Sequence, residues 1–484
     1  MQPPSLELLP NTALVIGAER MADTSGGDAE HIYAATGRVT KRFSLAGKAE
    51  IDAAVSAATE GAKAWWGIPA ERRRDAMFTL ARLIREHGDE LEAISMVDTA
   101  TKTRRFATLS SDTVAYNAGW CDKLNGESVV GGIGKGFDID SPVPFGVVGV
   151  IIPWNAPLLT MTNVIAPALA AGNAVIVKAS DLAPFAALRL GELCLEAGLP
   201  PGVVNVAPGG QEAGEALVRH PGVSKIHFTG STRTGREVAK NAAERLLPVG
   251  LELGGKSANL IFADVDLDFA ARVALTAAIG LNGQVCTAGT RLLVEQRVYL
   301  TFVEKLTELM NNVAVGDPAD QTKALGPVIS QAAAERIVGV VDGAVNVGAG
   351  RLVTGGTRLG GDLRDGFFIP PTLVVDVDPH SDIGREEIFG PVLTATPFTD
   401  EDEAVALAND SDYGLAGYVQ TADPRRAHRI AEALDVGMVY VNGGLPAHPP
   451  GASFGGGKNS GYGRTGGRVG IEEFSRRKNV WMGR

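Results

Sequence analysis

From residue 143 onward, short apolar runs alternate with helical stretches, and this alternation constrains the fold more than any other feature of the chain. The runs are GVVGVII, NAVIVKAS, VVNVAP and KIHFTGS. Helical patterns lie between them over about 157–171, 184–197 and 211–219, with another from 233. Strands joined by helical crossovers pair in parallel. The rhythm therefore predicts a parallel, Rossmann-like sheet. A second α/β region follows from roughly 255. It contains SANLIFAD, a helix near 267–281, RLLVEQRVY, a helix at 298–312 and further alternation up to 449.

Upstream, the pattern is helical. Residues 50–66 place Ile51, Ala54, Val55 and Ala58 on one face, and residues 71–87 do the same with Met77, Leu80, Ala81 and Ile84. The segment 127–142 (ESVVGGIGKGFDIDSP) suits a Gly-rich hairpin or ribbon. The chain from 451 is Gly-rich and then basic.

Bulk properties remove several classes. A chain of 484 residues has room for two or three domains. Sixty glycines suit tight strand–helix turns better than helical repeats. The net charge of −11 argues against a nucleic-acid partner. The N-terminal segment lacks a basic region followed by an apolar one, so no signal peptide is expected. The most apolar windows are broken by Pro, Gly and Asn, so no membrane partner is expected either. The three cysteines, Cys121, Cys194 and Cys286, are far apart. That spacing excludes a disulfide framework, gives no metal site and fits a reducing, cytoplasmic setting. Cys121 and Cys194 read as packing residues in helical contexts.

Cys286 in GQVCTAGTR is different. Gly283 and Gly289 flank it, and glycine lets backbone approach a ligand closely. A small buried hydrophobe is the bland reading, and a nucleophile the sharp one. Glu252 in LELGGKS is either a surface carboxylate or a general base that activates water. Asn155 in IIPWNAPL follows a strand. It is either a turn former between prolines or an amide donor to an oxyanion. Lys178 ends VIVKAS, as a solvated cap or a nucleotide ligand. FTGSTRTG (228–235) runs from a strand into a helix start, where N–H groups can meet a pyrophosphate, although it is not G-x-G-x-x-G. GLELGGKS satisfies the P-loop pattern literally. Glu252 inside that loop would repel phosphate, and the strand-like SANLIFADVD stands where a P-loop needs a helix.

IIPWNAPL, VIVKAS, FTGST, LELGGKSANLIF, GQVCTAGTR, EEIFGPV, NDSDYGLAGYVQ, GMVYVNG and SFGGGKNSGYGR, in this order, resemble the aldehyde dehydrogenase superfamily. The likeness runs from about residue 30 to 480. It implies an α/β fold in three parts. The NAD(P)-binding domain would be 1–122 with 143–254, and the catalytic domain 255–449. A β-ribbon for oligomerisation and the C-terminal segment would be 123–142 and 450–484. It further implies a homodimer or homotetramer, and oxidation of an aldehyde to a carboxylic acid through a Cys thiohemiacetal and a thioester. Cys286 would be the nucleophile, Asn155 the oxyanion donor and Glu252 the base. Ile151, Trp154, Lys178, Ser180, Asp181, Gly230, Ser231, Leu253, Glu387 and Phe389 would bind the cofactor.

Some positions depart from the family pattern. Lys178-Ala179-Ser180-Asp181 replaces the frequent K-P-S/A-E. Asp181 keeps a carboxylate that favours a ribose 2′-hydroxyl over a 2′-phosphate, so NAD is expected ahead of NADP. Ala156 stands where many relatives have Phe, which implies room beside the nucleophile. The loop 443–453 is expected to wall the substrate mouth, with His448 as a substrate contact or an exposed loop residue. Two alternatives stay open on sequence: acyl transfer to coenzyme A, against which Glu252 speaks, and a non-catalytic NAD-binding scaffold.

Overall fold

A computed structural model describes residue 9 and residues 13–103, 105–129, 136–444 and 449–483. The expected helices form as Lys48–Gly67, Ala70–Glu86, Pro157–Ala170, Phe185–Glu196, Gln211–Arg219 and Thr232–Ala243. Their apolar stripes supply the core. Ile51, Ala54, Met77, Leu80 and Ile84 are completely buried.

The first sheet has eight strands among the described residues. Its order is Glu19–Met21, Leu14–Ile16, Val204–Val206, Ala174–Lys178, Val147–Ile151, Lys225–Thr229, Val249–Glu252 and Gly461–Tyr462. The five strands from Val204–Val206 to Val249–Glu252 are parallel. They are buried on both faces, as crossover helices require. The chain first builds outward from Val147–Ile151, then returns to its other side at Lys225–Thr229. That reversal opens a crevice at the C-terminal strand ends, where such sheets take ligands.

The second sheet has seven strands. Its order is Arg351–Thr354, Thr372–Val375, Val392–Phe398, Arg291–Glu295, Ala258–Ile261, Ala416–Gln420 and Met438–Val441. All pairs are parallel except the edge pair of Arg351–Thr354 with Thr372–Val375. A separate antiparallel ribbon joins Glu127–Val129, Phe137–Pro144 and Ser475–Met482.

Three details differ from the sequence reading. Cys121 lies in the turn after the helix Phe106–Ala118, not within a helix. The ribbon strand runs on to Pro144. Part of the C-terminal segment, Gly461–Tyr462, leaves the ribbon side of the chain and pairs with Leu251 and Glu252 at the edge of the first sheet. A two-residue strand has no periodicity to read, so only the register reveals this pairing.

Candidate active site

Parallel register sets the candidate residues in a row. Ile151 pairs with Lys178 on one side and Phe228 on the other, and Thr229 pairs with Glu252. The loops leaving these strands therefore emerge side by side. The first carries Trp154 and Asn155, the second Ser180 and Asp181, the third Gly230 and Ser231, and the fourth Leu253.

Ser231 caps the helix Thr232–Ala243, accepting from the N–H of Thr234 at 3.3 Å. The first N–H groups of that helix face the crevice end of the sheet without intrahelical partners. Ser180 Oγ accepts from the N–H of Leu182 and lies 3.3 Å from the Asp181 carboxylate. Asp181 is exposed. Burial pushes the Lys178 ammonium below its ordinary range, against the opposing pull of Asp181. Leu253 packs on Gly235 of the capped helix. A Cβ at Gly235 would stand 2.5 Å from its methyl carbon. This surface has the parts that a dinucleotide requires: a strand-end crevice, a free helix N-terminus, a strand-end cation and a carboxylate.

The second sheet brings in the thiol. Cys286 lies in the loop between the short helical turn Gly280–Gly283 and the strand Arg291–Glu295. Cys121 and Cys194 are buried, whereas Cys286 is partly exposed. Its sulfur still lies deep among protein atoms. Burial, then the carboxylates of Glu387 and Glu252, push the thiol up to about 12. Asn155 reaches across from the first sheet and donates Nδ2 to the carbonyl of Gln284 at 2.9 Å. Tyr418 donates its hydroxyl to the carbonyl of Thr287 at 2.7 Å, bracing the loop from the other side.

The LELGGKS segment sits between these parts. A Cβ at Gly255 would lie 2.6 Å from the Cys286 carbonyl oxygen, and one at Gly254 would lie 2.2 Å from Glu387 Oε2. A Cβ at Gly255 would force backbone to move, whereas one at Gly254 would displace the Glu387 carboxylate. Gly255 also donates its N–H to Glu387 Oε1 at 3.2 Å. Burial raises the Glu387 carboxyl to about 7, against the pull of that N–H, Lys256 and Arg336. Phe389 meets Trp154 edge to face, with ring centroids 5.5 Å apart. The literal P-loop pattern leads into the strand Ala258–Ile261, so no helix follows the glycines.

Glu252 ends its strand 5 % exposed, and neither carboxylate oxygen has a hydrogen-bond partner. Burial pushes it well above the ordinary carboxylate range. Arg464 opposes this, and Glu473 reinforces it. A buried carboxyl left without partners is costly to retain unless it has other work.

Thus the structure gathers Cys286, Asn155, Glu387 and Phe389 around one turn, with Glu252 just before it. Lys178, Ser180, Asp181, Gly230 and Ser231 lie along the crevice. His448 lies outside the described residues. Sequence reasoning missed Gln284, Tyr418 and Arg464. Tyr418 lay within the NDSDYGLAGYVQ motif, but its contact with Thr287 crosses two strands and has no local signal.

The sequence model of the aldehyde dehydrogenase family matches residues 21–480. A peroxisomal aminoaldehyde dehydrogenase of Pisum sativum is 38 % identical over 464 residues, covering 93 % of this chain and 91 % of the relative. The 5-carboxymethyl-2-hydroxymuconate semialdehyde dehydrogenase of Escherichia coli is 40 % identical over 423 residues, covering 84 % and 88 %. Among solved structures, betaine aldehyde dehydrogenase from Staphylococcus aureus in complex with NAD+ superposes with a TM-score of 0.96 at 34 % identity, over 99 % of this chain and 96 % of that one. The chain belongs to the aldehyde dehydrogenase family. It is an enzyme that oxidises an aldehyde with NAD(P)+. No helix among the described residues is long and apolar enough to cross a membrane.

Proposed function

We propose that Cys286 is the nucleophile, Asn155 the oxyanion donor and Glu252 the base of this oxidation. The observation that carries the assignment is the wedged turn: Gly254 and Gly255, next to Glu252, lie in contact with Glu387 on one side and Cys286 on the other. Cys286 Sγ adds to the aldehyde carbon, and its proton passes to a base. Glu252, held well above the ordinary carboxylate range, has the proton affinity for that step. The oxyanion of the thiohemiacetal takes hydrogen bonds from Asn155 Nδ2 and the Cys286 backbone N–H. NAD(P)+, when bound, supplies the acceptor for the hydride that turns the thiohemiacetal into a thioester. Glu252 gives that proton up to solvent once the thioester has formed, then removes a proton from water as the water attacks the thioester carbonyl. The C–S bond breaks, the acid leaves, and Glu252 returns the proton to the departing Cys286 thiolate.

Glu387 and Phe389 hold the nicotinamide end in this reading. Ile151, Trp154, Lys178, Ser180, Asp181, Gly230, Ser231 and Leu253 hold the rest. Asp181 favours NAD over NADP by charge. The assembly is a homodimer or homotetramer built on the three-stranded ribbon, and the three free cysteines suit the cytoplasm. The proposed domain limits are 1–122 with 143–254, 255–449, and 123–142 with 450–484. They take support from the two sheets and the ribbon, except where the ribbon strand runs on to Pro144 and where Gly457–Lys458 and Gly461–Tyr462 pair outside the ribbon. Names of the relatives point to aldehydes with an amino, quaternary ammonium or carboxylate group, and a panel of these tests the substrate.

The decisive experiment is Cys286→Ala, with NADH followed by absorbance and no coenzyme A present. The variant loses turnover and keeps the native circular dichroism. NADH production at the wild-type rate by that variant would overturn the assignment.

A further inference from the structure

Beyond the crevice, a small buried cavity lies behind the two-glycine turn. It has a volume of about 10 Å3 and is lined by Lys256, Ser257, Arg291, Tyr413, Leu415 and neighbouring apolar groups. That is the space of one small particle. Lys256, Ser257 and Arg291 are 2 %, 4 % and 4 % exposed. Lys256 Nζ, Ser257 Oγ and Arg291 Nε all lack a hydrogen-bond partner. The other guanidinium nitrogens of Arg291 are occupied, donating to the carbonyls of Leu407 and Ala408 at 2.7 Å each.

Of the polar side-chain atoms left free here, Lys256 Nζ and Arg291 Nε can only donate, while Ser257 Oγ can donate or accept. Two belong to cations, and no carboxylate stands within ion-pairing distance of either among the described residues. Glu387 and Glu386 act on Lys256 only from farther away, and Asp410 and Arg385 act likewise on Arg291. An unpaired buried ammonium is costly to keep charged. One water can accept from Lys256 Nζ and Arg291 Nε and donate to Ser257 Oγ, but it carries no charge and leaves both cations without a counter-charge. A monovalent anion accepts from all three groups and offsets one of the two positive charges. We propose that this cavity is a binding site for a small monovalent anion of halide type, held by Lys256 Nζ, Arg291 Nε and Ser257 Oγ. The site is separate from the proposed catalytic groups, and it stands or falls without them.

Burial pushes Lys256 down to about 7, with Arg291 adding to the shift against Glu387 and Glu386. A bound anion opposes that shift, so it keeps Lys256 protonated near neutral pH. The occupied site then presents a fixed positive charge behind the turn that carries Gly254 and Gly255.

The test uses the full-length enzyme. In crystals grown in sodium bromide, an anomalous peak is expected between Lys256, Arg291 and Ser257. Thermal unfolding of the wild type in bromide at 100 times Kd is expected about 2–3 °C above that in gluconate of equal ionic strength. Lys256→Met abolishes the halide response. If that variant does not fold, Ser257→Ala retains both cations and needs about tenfold more bromide for the same shift. Electron density without an anomalous signal, which marks water, overturns the proposal. So does a wild-type melting temperature that is equal in both salts, or a response that Ser257→Ala leaves unchanged.

Discussion

Asn155 donates its side-chain amide to the carbonyl of Gln284, 2.9 Å away and 129 positions later in the chain. The bond joins the loop after the strand Val147–Ile151 to the loop two residues before Cys286. One amide thereby ties the crevice to the thiol. The remaining N–H of Asn155 is left for an oxyanion.

Replacing Asn155 by Ala removes both roles. Loss of one oxyanion donor costs about 10²–10³ in kcat. Loss of the tie to Gln284 costs about 1 kcal/mol of stability. The fall in kcat should greatly exceed any change in melting temperature, as steady-state kinetics and thermal unfolding on the same sample will read. A kcat within threefold of wild type would remove Asn155 from the oxyanion site.

The partnerless Glu252 makes both activity and stability depend on pH. Its folded-state value stands above the unfolded one, because burial disfavours the ionised form. Its contribution to stability is therefore whole below the ordinary carboxylate range, and it is lost as pH rises toward the folded value. Glu252→Gln should raise the melting temperature at pH 8 more than at pH 4. The same substitution should slow both the first turnover of NADH, through the thiol proton, and the steady state, through hydrolysis of the thioester on Cys286. Rates that rise with pH in the wild type should flatten in the variant. Equal melting shifts at the two pH values would argue against a raised folded-state value for Glu252.

Most of the parallel architecture was legible because each strand and crossover helix carries its own periodicity. The stripe Ile51, Ala54, Val55, Ala58 is one example. The strand-end position of Lys178 and the helix start after FTGS were legible for the same reason, since both are local. Contacts that join distant segments were not. Nothing near Asn155 announces Gln284, and nothing near Leu251 announces Tyr462. The hairpin Asp28–Tyr33 with Arg38–Ser44 also escaped the sequence reading. Its strands are short, polar on one side and register-shifted near His31. Glu252 shows the limit most plainly. Its identity was visible in LELGGKS, but its burial without partners is a property of the assembled site.

Gly255 tests the wedge directly. A methyl group there would fall 2.6 Å from the Cys286 carbonyl oxygen and 3.2 Å from Leu415 Cβ. Backbone must shift to admit it, and the nucleophile loop is the nearest backbone. Gly255→Ala should lower kcat by about 10² or more through misplacement of the thiol. At Gly254 the added methyl would meet the Glu387 carboxylate at 2.2 Å. Gly254→Ala should therefore act chiefly on the KM for NAD+. The two neighbouring alanines thus separate the thiol side of the turn from the cofactor side. Identical kinetic profiles would show that the turn moves as one piece.

The ribbon gives the last prediction. Ser475–Met482 pairs along its length with Phe137–Pro144, and Trp481 stands opposite Asp138. Trp481 is 58 % exposed, and Val129, Phe137, Val480 and Met482 are exposed with it. Such a group of large apolar side chains on one thin ribbon is more than scattered surface residues explain, and it marks an interaction site. A second copy of the chain is the partner proposed here. Trp481→Glu places a charge on the exposed ribbon, on the face it shares with Val129, without touching either large sheet. Light scattering after size exclusion should show the wild type as a dimer or tetramer and the variant shifted toward monomer. Circular dichroism should be unchanged, because the core strands do not depend on the indole. An unchanged mass for Trp481→Glu would place the interface elsewhere. A monomeric wild type would remove the ribbon's proposed role altogether.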